Sequence, residues 1–143
     1  DSVLGVTSSG RTPYVVGALE KCKENNIYTG LLTSNNDTKA EKYAVSTIRT
    51  LLGPEVITGS TRMKSGTAQK LILNMISTSL MIKMGRIKGN KMVDMKLSNS
   101  KLINRGERFL QDELGVNLDE ARKLLEKTKS VRDSIKLYKK KES

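Results

Sequence analysis

Ser2-Val-Leu-Gly-Val-Thr-Ser-Ser-Gly-Arg-Thr-Pro13 decides how the chain is read. Ser2 to Ser8 has the character of a fully buried strand of the kind found in parallel sheets. It runs into hydroxyls and a glycine, then into Thr12, suited to cap a helix, and Pro13, suited to the first helical position. In the helix that follows, Tyr14, Val15, Ala18, Leu19 and Cys22 share one face, while Glu20, Lys21, Lys23 and Glu24 fall largely on the other. Strand, hydroxyl-rich turn and helix in this order place backbone N–H groups and a helix dipole where an anion is favoured.

Working outward, Asn25-Asn26 ends that helix and Ile27 to Thr33 forms a second strand. Ser34-Asn-Asn-Asp37 is a turn cluster. Thr38 to Tyr43 can make one helical turn before a third strand within Ala44 to Leu52. Strands separated by helical segments predict an α/β fold with a parallel sheet, whose ligands sit at the carboxyl ends of the strands. The next stretch, Gly53-Pro-Glu-Val-Ile-Thr-Gly-Ser-Thr-Arg-Met-Lys-Ser-Gly-Thr-Ala-Gln-Lys70, also follows a strand. It carries turn-forming glycines, hydroxyls, an Arg and two Lys, and it feeds a helix from about Thr67 to Met84 that the apolar spacing predicts to be buried. A P-loop is excluded, because Met63 stands where the glycine before Lys64-Ser65 belongs. Taken alone, the stretch reads either as an ordinary loop capping a core helix or as an anion-binding loop. The turn from Thr7 to Thr12 supplies a second such loop on the same edge.

Gly85 is placed to end the long helix, and Gly89-Asn90 makes a turn. Leu102, Ile103, Phe109, Leu110 and Leu114 form a stripe closed by Gly115. Asn117 with Glu120, and Ser130 with Asp133, are capping pairs for two final helices. Residues 1–97 are therefore expected to form the sheet-containing domain and 98–143 a small helical subdomain.

The 143 residues, 36% apolar and 29% charged, suit one globular domain, and no apolar run reaches the ~18 residues of a membrane span. No membrane partner is expected. Cys22 is the one cysteine and has no internal disulfide partner, which fits a reducing, cytoplasmic setting. The absence of His removes His-dependent triads and argues against a catalytic metal, leaving Asp, Glu, Lys or Tyr for any proton transfer. The net charge of +11 is concentrated late, with 17 basic and 9 acidic side chains from Lys83 onward. Nucleic acid is not the expected partner: aromatic residues are scarce, with no Trp, and the cations alternate with acids along helices as on solvated faces. An anionic small ligand is compatible with the sign.

Three stretches carry a resemblance to a known family. Thr7-Ser-Ser-Gly-Arg-Thr-Pro-Tyr14, Gly53 to Lys70, and Gly89-Asn-Lys-Met-Val-Asp94 resemble the N-acetylmuramic acid 6-phosphate etherases and, more distantly, the glucokinase regulatory protein. Both are phosphosugar-binding proteins of the sugar isomerase (SIS) group. The resemblance covers nearly the whole chain, and the Gly53 to Lys70 string is its most specific part. It implies a flavodoxin-like, three-layer αβα SIS half-domain followed by the small helical segment. It further implies that Ser8, Ser9, Gly10 and Thr12 take the phosphate oxygens of a sugar phosphate. Glu55 and the segment from Ser60 to Lys64 would face the sugar or a neighbouring subunit, with Lys64 the cation expected at the ligand.

The reaction implied is cleavage of the D-lactyl ether of N-acetylmuramic acid 6-phosphate to N-acetylglucosamine 6-phosphate and D-lactate, in cell-wall amino sugar recycling, with no metal or organic cofactor. Such an elimination needs one carboxyl group as acid and one carboxylate as base. In the family these two glutamates lie in an N-terminal half, in Ser-Glu-Cys-Pro-Pro and Glu-Gly-Ala-Glu stretches that this sequence lacks. No catalytic residue is therefore assigned within it. The chain is expected to be the C-terminal half of an etherase, with the glutamates upstream of Asp1, and to be inactive alone. Association with that half or with a second copy, as a homodimer, is expected. The alternative is a non-catalytic module that senses a sugar phosphate, as the regulatory relatives do.

Overall fold

The computed structural model describes residues 1–142. The chain packs as two compact units, a first spanning Asp1–Ile76 and a second from Ser77 onward.

The first unit holds β1 (Ser2–Thr7), α1 (Pro13–Glu24), β2 (Tyr28–Thr33), a 3-10 turn at Lys39–Tyr43 and β3 (Ser46–Arg49). The strands form one parallel sheet in the order β1-β2-β3. Ser2 stands opposite Tyr28, Thr7 opposite Thr33, and Thr33 in turn opposite Arg49. The fold is α/β, as the strand and helix alternation predicts. α1 packs closely on β1 because Gly5 has no side chain: a Cβ there would lie 2.9 Å from both Leu19 and Val15. Val16, Leu19, Leu31 and Ala40 form the core of this unit, flanked by Val3, Val15, Tyr43 and Ala44.

Two burial expectations are corrected. β1 is an edge strand, and although Gly5 and Thr7 are buried, Val3, Leu4 and Val6 are only half-buried. β2, the central strand, is buried from Thr29 to Thr33. The helix expected to be buried, α2 (Lys64–Lys83), has Ser65 as its one buried residue. Leu71, Met75 and Leu80 remain 51%, 59% and 53% exposed. Helical periodicity identifies apolar positions along a helix, but not whether the surface that covers them lies within the same 143 residues.

The second unit closes on itself. Ile87–Lys88 (β3's successor, β4) and Lys91–Met92 (β5) make a short antiparallel hairpin around Gly89, whose φ is 59°. α3 (Ser100–Leu114), α4 (Leu118–Thr128) and α5 (Val131–Glu142) follow. Their shared core includes Phe109, Leu110, Ala121, Leu125 and Val131, with Val93 from the segment after the hairpin. Asn117 caps α4 as expected, accepting from the Glu120 N–H, and Asn99 caps α3 by accepting from the Leu102 N–H, each at 2.9 Å. Ser130 accepts from the Asp133 N–H at 3.2 Å, and Gly115 ends α3 at φ 69°. Buried Glu107 is matched by Arg122 at 2.9 Å. Asp94 joins Arg132 at 2.6 Å and Arg86 at 3.2 Å. Among the described residues, no helix is long and apolar enough to cross a membrane.

Candidate functional site

The turn after β1 is held by its own backbone. The Ser8 carbonyl accepts from the Ser34 N–H at 3.0 Å, the Thr33 hydroxyl at 3.2 Å and the Asn35 amide at 2.9 Å. Gly10 has φ +64°, and a Cβ there would fall 2.2 to 2.5 Å from three atoms of buried Thr38. Both the backbone conformation and the close approach therefore require glycine. Ala40 fixes the turn further by donating its N–H to the Gly10 carbonyl at 3.0 Å. The Ser9 hydroxyl accepts from the Arg11 N–H at 3.2 Å. Thr12 departs from its expected capping role: its side chain makes no cap bond and lies 2.9 Å from the Thr7 hydroxyl instead. A hydroxyl on the adjacent strand end competes successfully for it.

At the start of α2, the chain supplies its own anion. The Glu55 carboxylate accepts from the N–H groups of Lys64 and Ser65, both at 2.9 Å. These two bonds, that from Ser65 first, hold the Glu55 carboxyl below the usual carboxylate range. The Lys64 ammonium donates to the Pro54 carbonyl at 2.7 Å. Glu55 and Lys64 thus brace the loop in this structure. Ser60 sits half-buried within it, its N–H donated to the Ile57 carbonyl at 2.9 Å.

The two loops meet at the first turn of α2. Ser65, 3% exposed, places its Oγ 2.5 Å from the Ser8 Oγ and 2.8 Å from the Ser34 Oγ. Ser34 reaches Thr50 at 3.1 Å. The Gln69 amide, one turn further along α2, donates to the Ser8 Oγ at 3.0 Å. Hydroxyls from the ends of all three strands are thereby gathered at the first turn of one helix, on the carboxyl edge of the sheet. Such a set is largely satisfied within itself and carries no charge of its own, and a hydroxyl proton it leaves unused can be donated to an oxygen of an anion. Among the described residues, no group of three or more His, Cys, Asp or Glu side chains is placed to hold a metal. A groove of about 650 Å³ in the second unit, lined by Ser100, Lys101, Asn104, Arg105 and Arg108, contains none of these residues.

No protein-family model matches the chain. Individual curated proteins do. An N-acetylmuramic acid 6-phosphate etherase of Bacteroides fragilis is 52% identical over 139 residues, which are 97% of this chain and 50% of that protein. The chain belongs to the N-acetylmuramic acid 6-phosphate etherase family. An etherase of Christiangramia forsetii is 50% identical over 97% of the chain and 51% of its own length. The corresponding protein of Lactobacillus gasseri is 52% identical over 89% of the chain and 43% of itself. The chain spans about half the length of the etherases it matches.

Within this etherase-family chain the structure brings Ser8 together with the α2 end of the long loop, and Ser9, Gly10 and Thr12 with Ser8 in one turn. Ser34, Thr50, Ser65 and Gln69 were not legible as members of the cluster. Ser34 lies in a turn cluster and Ser65 within the Gly53 to Lys70 stretch, but only the folded chain shows that their hydroxyls converge.

Proposed function

We propose that the first unit holds the phosphate of a phosphorylated amino sugar and serves as the C-terminal half of an etherase. That enzyme would cleave the lactyl ether of N-acetylmuramic acid 6-phosphate in cell-wall sugar recycling in the cytoplasm. The observation that carries this reading is the meeting of the Ser8 to Thr12 turn with the start of α2, through the 2.5 Å contact between Ser8 and Ser65. Family membership supplies the substrate class, since the relatives are named for this etherase activity. Ser8, Ser9, Gly10 and Thr12 would donate to phosphate oxygens, while Ser60 and the loop braced by Glu55 and Lys64 would bound the sugar side.

The acid and base of the elimination are proposed to come from the remaining half of the enzyme. Two carboxylates of the first unit fit other work: Glu55 is engaged with two backbone N–H groups, and Glu41 with Arg49 at 2.8 Å. Neither is poised as a general acid, which needs a raised rather than a lowered pKa. Association with that other half or with a second copy would cover the exposed apolar surface of α2. Lactate release from N-acetylmuramic acid 6-phosphate tests the division of labour. The 143-residue chain alone is expected to release none; turnover by that chain would place the acid/base pair within it and refute the proposal.

A further inference from the structure

Each hydroxyl brings one proton and two acceptor positions to a network. Thr50, Ser34, Ser65 and Ser8 form a chain of three contacts, at 3.1, 2.8 and 2.5 Å. Three contacts use three protons, and four hydroxyls supply four, so one proton is left over. Where it is left depends on the direction in which the chain donates. If every hydroxyl donates toward Thr50, the spare proton goes to the Thr33 carbonyl, a long contact of 3.4 Å. If every hydroxyl donates toward Ser8, the spare proton belongs to Ser8. A spare proton on buried Ser65 would have no acceptor left to it, and burial makes that costly.

From this we infer that Ser65 is a positioning residue for the proposed phosphate site: it donates to Ser8 and so frees the Ser8 proton for an anion. The Ser8 Oγ then accepts from both Ser65 and Gln69 while donating outward, and each accepted bond strengthens the bond it gives. The competing inward polarity ends in the weakest bond of the chain, so an arriving phosphate oxygen is the better acceptor for the last proton. Glu55 contributes indirectly: by holding the Ser65 N–H it fixes the helix turn from which the Ser65 hydroxyl projects. This inference rests on the phosphosugar reading of the Ser8 turn and adds to it a residue that reaches the ligand only through Ser8.

The test uses the full 143-residue chain and two probes, N-acetylglucosamine 6-phosphate and N-acetylglucosamine, titrated at millimolar concentration by amide NMR. The quantity read is the preference for the phosphorylated sugar. Ser65→Ala is expected to lower that preference about fivefold, in line with loss of one hydrogen bond of ordinary strength, with binding of the neutral sugar unchanged. Ser65→Thr, which restores a hydroxyl, should recover the preference. Equal weakening for both sugars would make Ser65 a structural brace, and an unchanged preference would leave it without a role; either overturns the inference. If Ser65→Ala does not fold, Gln69→Leu removes, from a half-buried position, the amide that donates to Ser8 at 3.0 Å and to Ser65 at 3.3 Å, and is read in the same way. Ser8→Ala separates the two levels. If it leaves the preference intact, or the unsubstituted chain shows no preference, the phosphosugar reading itself fails. If Ser8→Ala abolishes the preference and Ser65→Ala does not touch it, only the positioning role fails.

Discussion

α2 and α3 are both long helices with apolar residues at helical spacing, yet they meet opposite fates. α3 buries Gly106, Glu107, Phe109 and Leu110 against α4 and α5, with polar residues on its outer face. α2 buries Ser65 and leaves Leu71, Leu73, Met75, Leu80, Met81 and Ile82 exposed. The difference lies in how the apolar residues are distributed. On α3 they form a stripe, which a neighbouring pair of helices can cover; on α2 they spread around much of the helix, as on an element surrounded by other chain. α3 thus finds its cover in α4 and α5, whereas α2, whose residues are shared between the two units, carries more apolar surface than the described residues cover.

The largest expected effect that sharpens this contrast is in the self-contained unit. Leu110 is fully buried, and Leu110→Ala should cost about 2–5 kcal/mol through lost burial and a residual cavity. Urea unfolding followed by NMR should show α3, α4 and α5 signals melting early while β1, β2 and β3 signals persist; loss of both sets together would break the distinction between the units. A graded effect comes from pH. Asp94 is held below the usual carboxylate range chiefly by its hydrogen bond to Arg132, with burial opposing, and Glu55 by the Ser65 and Lys64 N–H groups. A carboxyl depressed in the folded state contributes stability that is present above its unfolded pKa of about 4 and is lost as pH falls through the lower folded value. Acid should therefore loosen the hairpin contact to α5 and the start of α2, and Asp94→Asn should remove the first of these acid responses in a pH titration. An acid response of the hairpin that survives in Asp94→Asn would reassign it. The smallest effect is expected on α2. Met75→Lys should change stability by no more than about 0.5 kcal/mol, because the side chain is already in water. The same variant should reduce self-association in sedimentation; a parent chain that sediments as a clean monomer at high concentration would remove the need for a partner surface.

Much of the architecture was readable because it is local. The Thr7 to Pro13 turn, the Gly85 and Gly115 terminators and the Asn117 and Ser130 caps are each fixed by a few adjacent residues. Thr12 misled because two hydroxyls five positions apart can satisfy each other once a strand end and a helix start are juxtaposed. The motif residues lie along one rim of the sheet, but their sequence does not show how they are connected. Lys64 and Glu55 are ligand-facing by resemblance, and in this structure they bond to Pro54 and to the first turn of α2. Ser65 and Ser34 carry no distinguishing signal in sequence, since 31 positions separate them and only the docking of the start of α2 on the strand ends brings them to 2.8 Å.

The Ser8 carbonyl, with its three donors from consecutive residues Thr33, Ser34 and Asn35, has a practical corollary for anyone transplanting this turn into another scaffold. Moving residues 7–13 alone would carry the hydroxyls but abandon the amide and alcohol groups that hold their peptide plane in place. The portable module is the pair of neighbouring strand ends, and a graft that copies one without the other should yield a floppy loop.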